Sequence, residues 1–268
     1  MSEASVKVLG YLVSLVWASG TFFTAALVSR LFALDLDSRY SALVRVLSFQ
    51  LARSLVLLCL RPPTNAYAWI YLVTEPIVLL LYVFVILEIY QQVFESYRGL
   101  SVLGRRSLWT ALACSMAVSL VSHRSEFDFS NEPIRRLRSL LLLETTVCST
   151  LLVFLVIVVA FLAWYPVPVR RNLLVYAFGF SLFFASLSVS DFLRNLDPVK
   201  NTKLGNLVRL GGTTGCLIGW LALFRRKWEE VPERVMVPQG AITSQLLAQL
   251  EAMNKVLTTG KKPAQYTV

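Results

Sequence analysis

Residues 139–164, SLLLLETTVCSTLLVFLVIVVAFLAW, decide the class of this protein. About 20 apolar residues cross a bilayer as a helix. This stretch exceeds that length with a single charge, Glu144, and stops at Tyr165-Pro166-Val167-Pro168. Working outward, six further apolar segments share its character: 8–28, 41–60, 67–94 (with Pro76 inside), 107–122, 172–191 and 204–224. Composition agrees. The chain of 268 residues is 56% hydrophobic and only 16% charged, with mean hydropathy +0.62. Soluble domains run at about 45–50% apolar and about 25% charged. A water-soluble domain, a disordered chain and a small disulfide scaffold are excluded.

Backbone polar groups in lipid need partners within the segment, and the alternating ten-residue strands of a barrel are missing, so the spans read as helices. The expected fold is all-α: a seven-transmembrane-helix bundle over 1–227 and a cytoplasmic tail over 228–268. Within the tail, Ile242, Leu246, Leu250, Met253 and Leu257 recur at helical spacing, predicting a short amphipathic helix at about 241–258. That stripe suits docking on the bundle or on a partner helix.

The net charge of +10 does not point to nucleic acid. Basic residues stand in short runs at segment edges, as in Arg105-Arg106, Arg170-Arg171 and Arg225-Arg226-Lys227, where they orient helices and meet lipid headgroups. Their distribution favours the N-terminus outside and the C-terminus in the cytoplasm. Tyr40, Trp69, Trp109 and Trp164 fall at expected interfaces. Cys59, Cys114, Cys148 and Cys216 lie in apolar segments with no CxxC or Cys/His cluster, and His123 is the only histidine. No metal or other cofactor is expected. The seven lysines lie outside spans or at their ends, which excludes a retinal Schiff base.

Ionisable residues inside spans are costly and face the bundle interior. Arg53 sits eight positions before Arg61, where its span ends, and Glu75 eight positions after Tyr67, where the next begins. At about 1.5 Å per residue both lie roughly 12 Å below one surface. Arg45 and Glu88 are out of step with that register by little more than a turn, so a second ion pair is expected there. Glu144, Arg209 and Asp191 approach the first level, making Arg53, Glu75, Glu144, Asp191 and Arg209 one candidate intramembrane polar cluster. It serves either as ion pairs locking the helices, as a ligand or ion site, or as a solute or proton path. Gly211, Gly215 and Gly219 form a double GxxxG, a helix-packing face within the bundle or at a dimer seam.

No P-loop, GxSxG, HExxH or dinucleotide fingerprint is present. His123, Glu126 and Asp128 read as a solvated loop. The segment Thr74-Glu75-Pro76, Tyr82, Leu87-Glu88-Ile89-Tyr90, Tyr97-Arg98-Gly99 and Leu103-Gly104-Arg105 resembles an uncharacterised family of multi-pass membrane proteins from Acidobacteria-type bacteria. The resemblance covers residues 67–106 and implies a bacterial inner-membrane setting without a mechanism. The expected function is non-enzymatic: an accessory or structural subunit of a membrane complex, or a membrane sensor. The alternative is a small-solute or ion transporter with a polar pocket between helices. Expected partners are the bilayer and a protein partner or second copy, met through the glycine face or the tail helix.

Overall fold

A computed structural model describes residues 3–60, 65–95, 98–122, 133–164, 169–196, 202–229, 248–249 and 251–256. Seven α-helices carry the described chain: α1 (Glu3–Ala33), α2 (Ser41–Leu58), α3 (Asn65–Val93), α4 (Arg98–Ser122), α5 (Pro133–Trp164), α6 (Arg171–Leu196) and α7 (Thr202–Leu223). A 3-10 turn at Arg226–Trp228 follows, and the tail is helical at 248–249 and 251–256. No strand occurs among the described residues.

Five of the helices are long and apolar enough to cross a membrane, with spans at Val16–Ala33, Ser41–Leu58, Trp69–Val93, Leu142–Trp164 and Arg171–Arg194. α4 and α7 fall short. Arg98, Arg105 and Arg106 load the first half of α4, and Lys203, Arg209 and the glycines dilute α7. The chain is thus an all-helical protein that fits an integral membrane protein.

The helices pack as a ring in the order α1, α2, α3, α5, α6, α7 and back to α1, with α3 also touching α6 across it. α4 lies outside the ring on α5 and α3. One local turn sets the register of the first hairpin. Leu36 N–H reaches Leu31 O at 3.0 Å and Asp35 N–H reaches Phe32 O at 3.1 Å, with Asp35 at φ 55°. This is a Schellman stop, and Leu36 and Leu31 are both buried in the core, as often accompanies that motif. It delivers Arg39 and Tyr40 to the bundle.

Tyr40 corrects the expectation of an interfacial aromatic: it is fully buried. Its ring stands edge-on to Tyr176 at 5.3 Å, and Tyr176 is edge-on to Phe180 at 5.3 Å. Phe180, Phe183, Phe184, Trp220 and Tyr82 continue the stack through the middle of the ring. Trp69, Trp109 and Trp164 are exposed, as lipid-facing or interfacial rings are. Of the cysteines, Cys148 and Cys216 are buried, while Cys59 and Cys114 are exposed.

Candidate functional site

At one end of the bundle two ion pairs, each of a buried glutamate and a partly buried arginine, bridge two helix pairs. Arg53 Nη2 on α2 lies 2.5 Å from Glu75 Oε2 on α3, with the side chains 12% and 4% exposed. Arg209 of α7 bonds Glu144 Oε1 of α5. The guanidinium of Arg53 also lies 4.4 Å over the Tyr71 ring, a cation–π contact in a desolvated place. Tyr71 lies close enough to feel the charges of both pairs. Asp191 stands at its margin: Oδ2 accepts from Thr145 Oγ1 at 2.8 Å, and Oδ1 is 3.6 Å from Arg194. Arg194 in turn bonds Asn206 at the start of α7.

Charge is balanced, as low dielectric demands, yet the inner carboxylate has an atom to spare. Glu144 Oε2 is buried and has no hydrogen-bond partner. The cluster therefore offers one spare acceptor on a carboxylate that Arg209 already neutralises. That can receive a donor or a cation. It does not form a nucleophile–base pair.

Toward the middle the polarity thins. Gln50 Nε2 donates to Tyr82 Oη at 2.6 Å. Both border a void of about 10 Å³ that also touches Thr213, barely the room for one water. Beyond it the aromatic stack closes the ring.

A second polar network occupies the opposite end, and here one expectation fails. Arg45 and Glu88 form no ion pair. Arg45 is exposed and folds back on Ser41, with Nε on the carbonyl at 3.0 Å and Nη2 on Oγ at 2.9 Å. Glu88 instead accepts from Ser41 Oγ at 3.1 Å, Ala42 N–H at 2.9 Å and Tyr176 Oη at 2.9 Å. The reason is rotation. α2 buries Ala42, Leu43, Val46 and Leu47, which turns Arg45 outward. The first turn of α2 has no side-chain cap of its own, and Glu88 supplies one from α3, a carboxylate at the positive end of a helix.

Glu229, just after α7, ties this end together. Its Oε1 lies 3.0 Å from Arg39 Nε and 3.6 Å from Arg170 Nε. Its Oε2 accepts from Tyr40 Oη at 3.0 Å and Asn172 Nδ2 at 3.1 Å. Burial, joined by the Glu229 carboxylate, pushes the Tyr40 phenol well above its usual value. Asn172 also exchanges bonds with the Arg225 backbone, and Arg30 donates to Phe224 O at 3.1 Å. Sequence reasoning misses this clasp. The one signal for it is Glu229 two positions after the Arg225-Arg226-Lys227 run, an acid where orientation needs only cations.

Of the two uses expected of the glycine face, packing within the bundle is corrected. A Cβ at Gly211, Gly215 or Gly219 would meet nothing, so these three make no close packing within the bundle. The tight α6–α7 crossing uses others: Gly212 faces Ser186, Gly205 sits 2.9 Å (from an added Cβ) under Ser190 O, and Gly179 faces the Trp220 indole. In the tail, Asn254 Oδ1 accepts the Gly99 N–H at 2.8 Å, joining the tail to the start of α4. Met253 is half exposed. Ile242, Leu246, Leu250 and Leu257 lie outside the described residues, as do His123, Glu126 and Asp128. No group of metal-ligating side chains occurs among the described residues. No known protein family, curated protein or solved structure matches the chain.

Proposed function

We propose that this is a bacterial inner-membrane protein that works without enzymatic chemistry, as an accessory subunit or sensor of a membrane assembly acting through its C-terminal tail. In this reading all seven helices cross the bilayer, with the N-terminus outside and the C-terminus cytoplasmic. Support for the seven spans comes from α7, which packs between α1 and α6. Its 22 residues extend about 33 Å, and its partly buried arginine is neutralised by Glu144.

The observation that carries the tail role is the Glu229 clasp. It fastens the segment leading into the tail to the α1–α2 turn and to the start of α6, so a shift among these helices is felt where the tail begins. The resemblance over residues 67–106 supports the inner-membrane setting. Purification of the full chain from native membranes tests the role: a stoichiometric partner should co-purify and be lost when residues 230–268 are removed. A lone monomer indifferent to that truncation would overturn it.

A second reading, a small-solute or ion transporter, rests on the spare oxygen of Glu144. Reconstituted vesicles should then show solute or proton flux that Glu144→Gln abolishes while leaving the protein folded.

A further inference from the structure

An apolar groove of about 680 Å³ runs along the surface where α5, α6 and α7 meet. Its lining includes Leu162, Phe178, Leu182, Gly215, Gly219 and Leu223. That volume is in the range of sites that hold small organic ligands, about 300–1,000 Å³. Two features fix its depth. Trp164, 78% exposed, follows the lining residue Ala163 by one position, and rings of this kind sit at headgroup level. Arg171 opens α6 on the same helical face as Leu174, Phe178 and Leu182, three, seven and eleven positions further on.

Arg171 is also a cation without an assignment. Arg170 is engaged by Glu229 and Glu95, and Arg226 by Asp35. Arg171 is exposed and forms no ion pair among the described residues. An apolar trough with an uncommitted guanidinium at its headgroup end has the chemistry of a phospholipid, and the charge selects an anionic one. A second copy fits less well. A glycine seam needs a flat strip on which two backbones meet, but Phe178, 66% exposed, stands in the same lining as Gly215 and Gly219.

We propose that this groove holds an acyl chain of an anionic phospholipid whose phosphate is met by Arg171. The inference rests on the reading that α5, α6 and α7 cross the bilayer. The glycines supply the test, because there is room to start a side chain at either: a Cβ at Gly215 or Gly219 meets no atom within 4 Å.

The experiment measures thermal unfolding of the full chain in detergent with added phosphatidylglycerol or phosphatidylcholine of identical acyl chains. Phosphatidylglycerol should stabilise at lower concentration. Arg171→Gln should weaken it about fivefold, toward phosphatidylcholine, the effect of one basic residue at an anionic headgroup. Gly219→Leu, or independently Gly215→Leu, should remove the response to both lipids while keeping the midpoint in detergent alone.

Equal stabilisation by the two lipids, or a headgroup preference that survives Arg171→Gln, overturns the proposal. A concentration-dependent dimer abolished by Gly219→Leu also overturns it and gives the groove to a second copy. Phe178→Cys, in a chain whose exposed Cys59 and Cys114 are replaced by serine, separates the spanning reading from the lipid reading. Labelling by a membrane-impermeant maleimide in vesicles defeats the spanning reading, whereas protection without lipid preference defeats this inference alone.

Discussion

Glu88, in the last third of α3, accepts the N–H of Ala42 in the first turn of α2 at 2.9 Å. A helix that begins in the low-dielectric part of the bundle leaves N–H groups without partners, and this one borrows its cap from a neighbour. The same carboxylate also holds Ser41 and Tyr176. Glu88→Gln keeps an oxygen for the α2 terminus and should cost about 1 kcal/mol. Glu88→Leu strands the Ala42 N–H and the Tyr176 hydroxyl and should cost about 3 kcal/mol or more. Unfolding midpoints in detergent read the difference; equal losses for the two variants would show that the carboxylate is not the cap.

Arg53 and Glu75 should behave as one unit. Arg53→Leu or Glu75→Leu alone leaves a buried charge uncompensated, which costs about 3–5 kcal/mol. The double change should recover much of that loss. A double-mutant cycle on thermal stability should give a coupling above about 1 kcal/mol. Zero coupling with two stable single variants would mean that these side chains do not meet.

This pair is legible in the amino-acid sequence and its neighbour is not, for a physical reason. Depth along a helix is one-dimensional and follows from counting residues, so Arg53 and Glu75 fall at one level by count alone. Rotation about the helix axis depends on which face the rest of the bundle buries. Arg45 shares a level with Glu88 closely enough, but the burial of Val46 and Leu47 turns it away. The same blindness affects the glycines, whose spacing is visible in sequence while their facing is not. Tyr40 shows a third limit. Its position at a segment edge suggests an interface, yet the Schellman turn before it folds it into the core. Hydropathy marks where all seven helices lie, but only five of them are apolar enough to cross a membrane. Apolarity alone draws α4 and α5 too short, because their charged first turns still belong to the helix.

The glycines of α6 and α7 therefore separate into two groups that one substitution distinguishes. Gly212→Ala pushes a methyl into Ser186, and Gly179→Ala into the indole of Trp220, itself buried and bonded to Val175 O. Each should lose about 1–3 kcal/mol, the usual result of overpacking. Gly211→Ala should be neutral or slightly stabilising in the same assay, since helix propensity improves and nothing is struck. The reverse order would place the packing face where the GxxxG spacing suggests it.

Alkaline pH should loosen the Glu229 clasp through Tyr40. The phenol titrates higher in the folded protein than in the unfolded chain, where it ionises near about 10. Its contribution is intact below that value and falls as pH rises above it, because the unfolded state releases the proton first. The slope is about 1.4 kcal/mol per pH unit for one proton. Tyr40→Phe should be less stable at neutral pH, having lost the bond to Glu229, and should lose less between about pH 9 and 11 than the parent does. Parallel curves for parent and variant would remove Tyr40 from the linkage.

The bond between Glu144 and Arg209 has a consequence in time. The two residues are 65 positions apart, and a ribosome adding about 5–20 residues per second takes roughly three to thirteen seconds to travel that far. During that interval α5 is already made, with its acid in place, and the arginine that neutralises it does not yet exist. The same holds at the other end, where Arg30 waits for the carbonyl of Phe224, 194 residues later. α1 meets α2 early, but its second neighbour comes only with α7. The bundle is therefore finished by its last helix, and a chain cut short before α7 leaves Glu144 without its arginine and an open seam between α1 and α6.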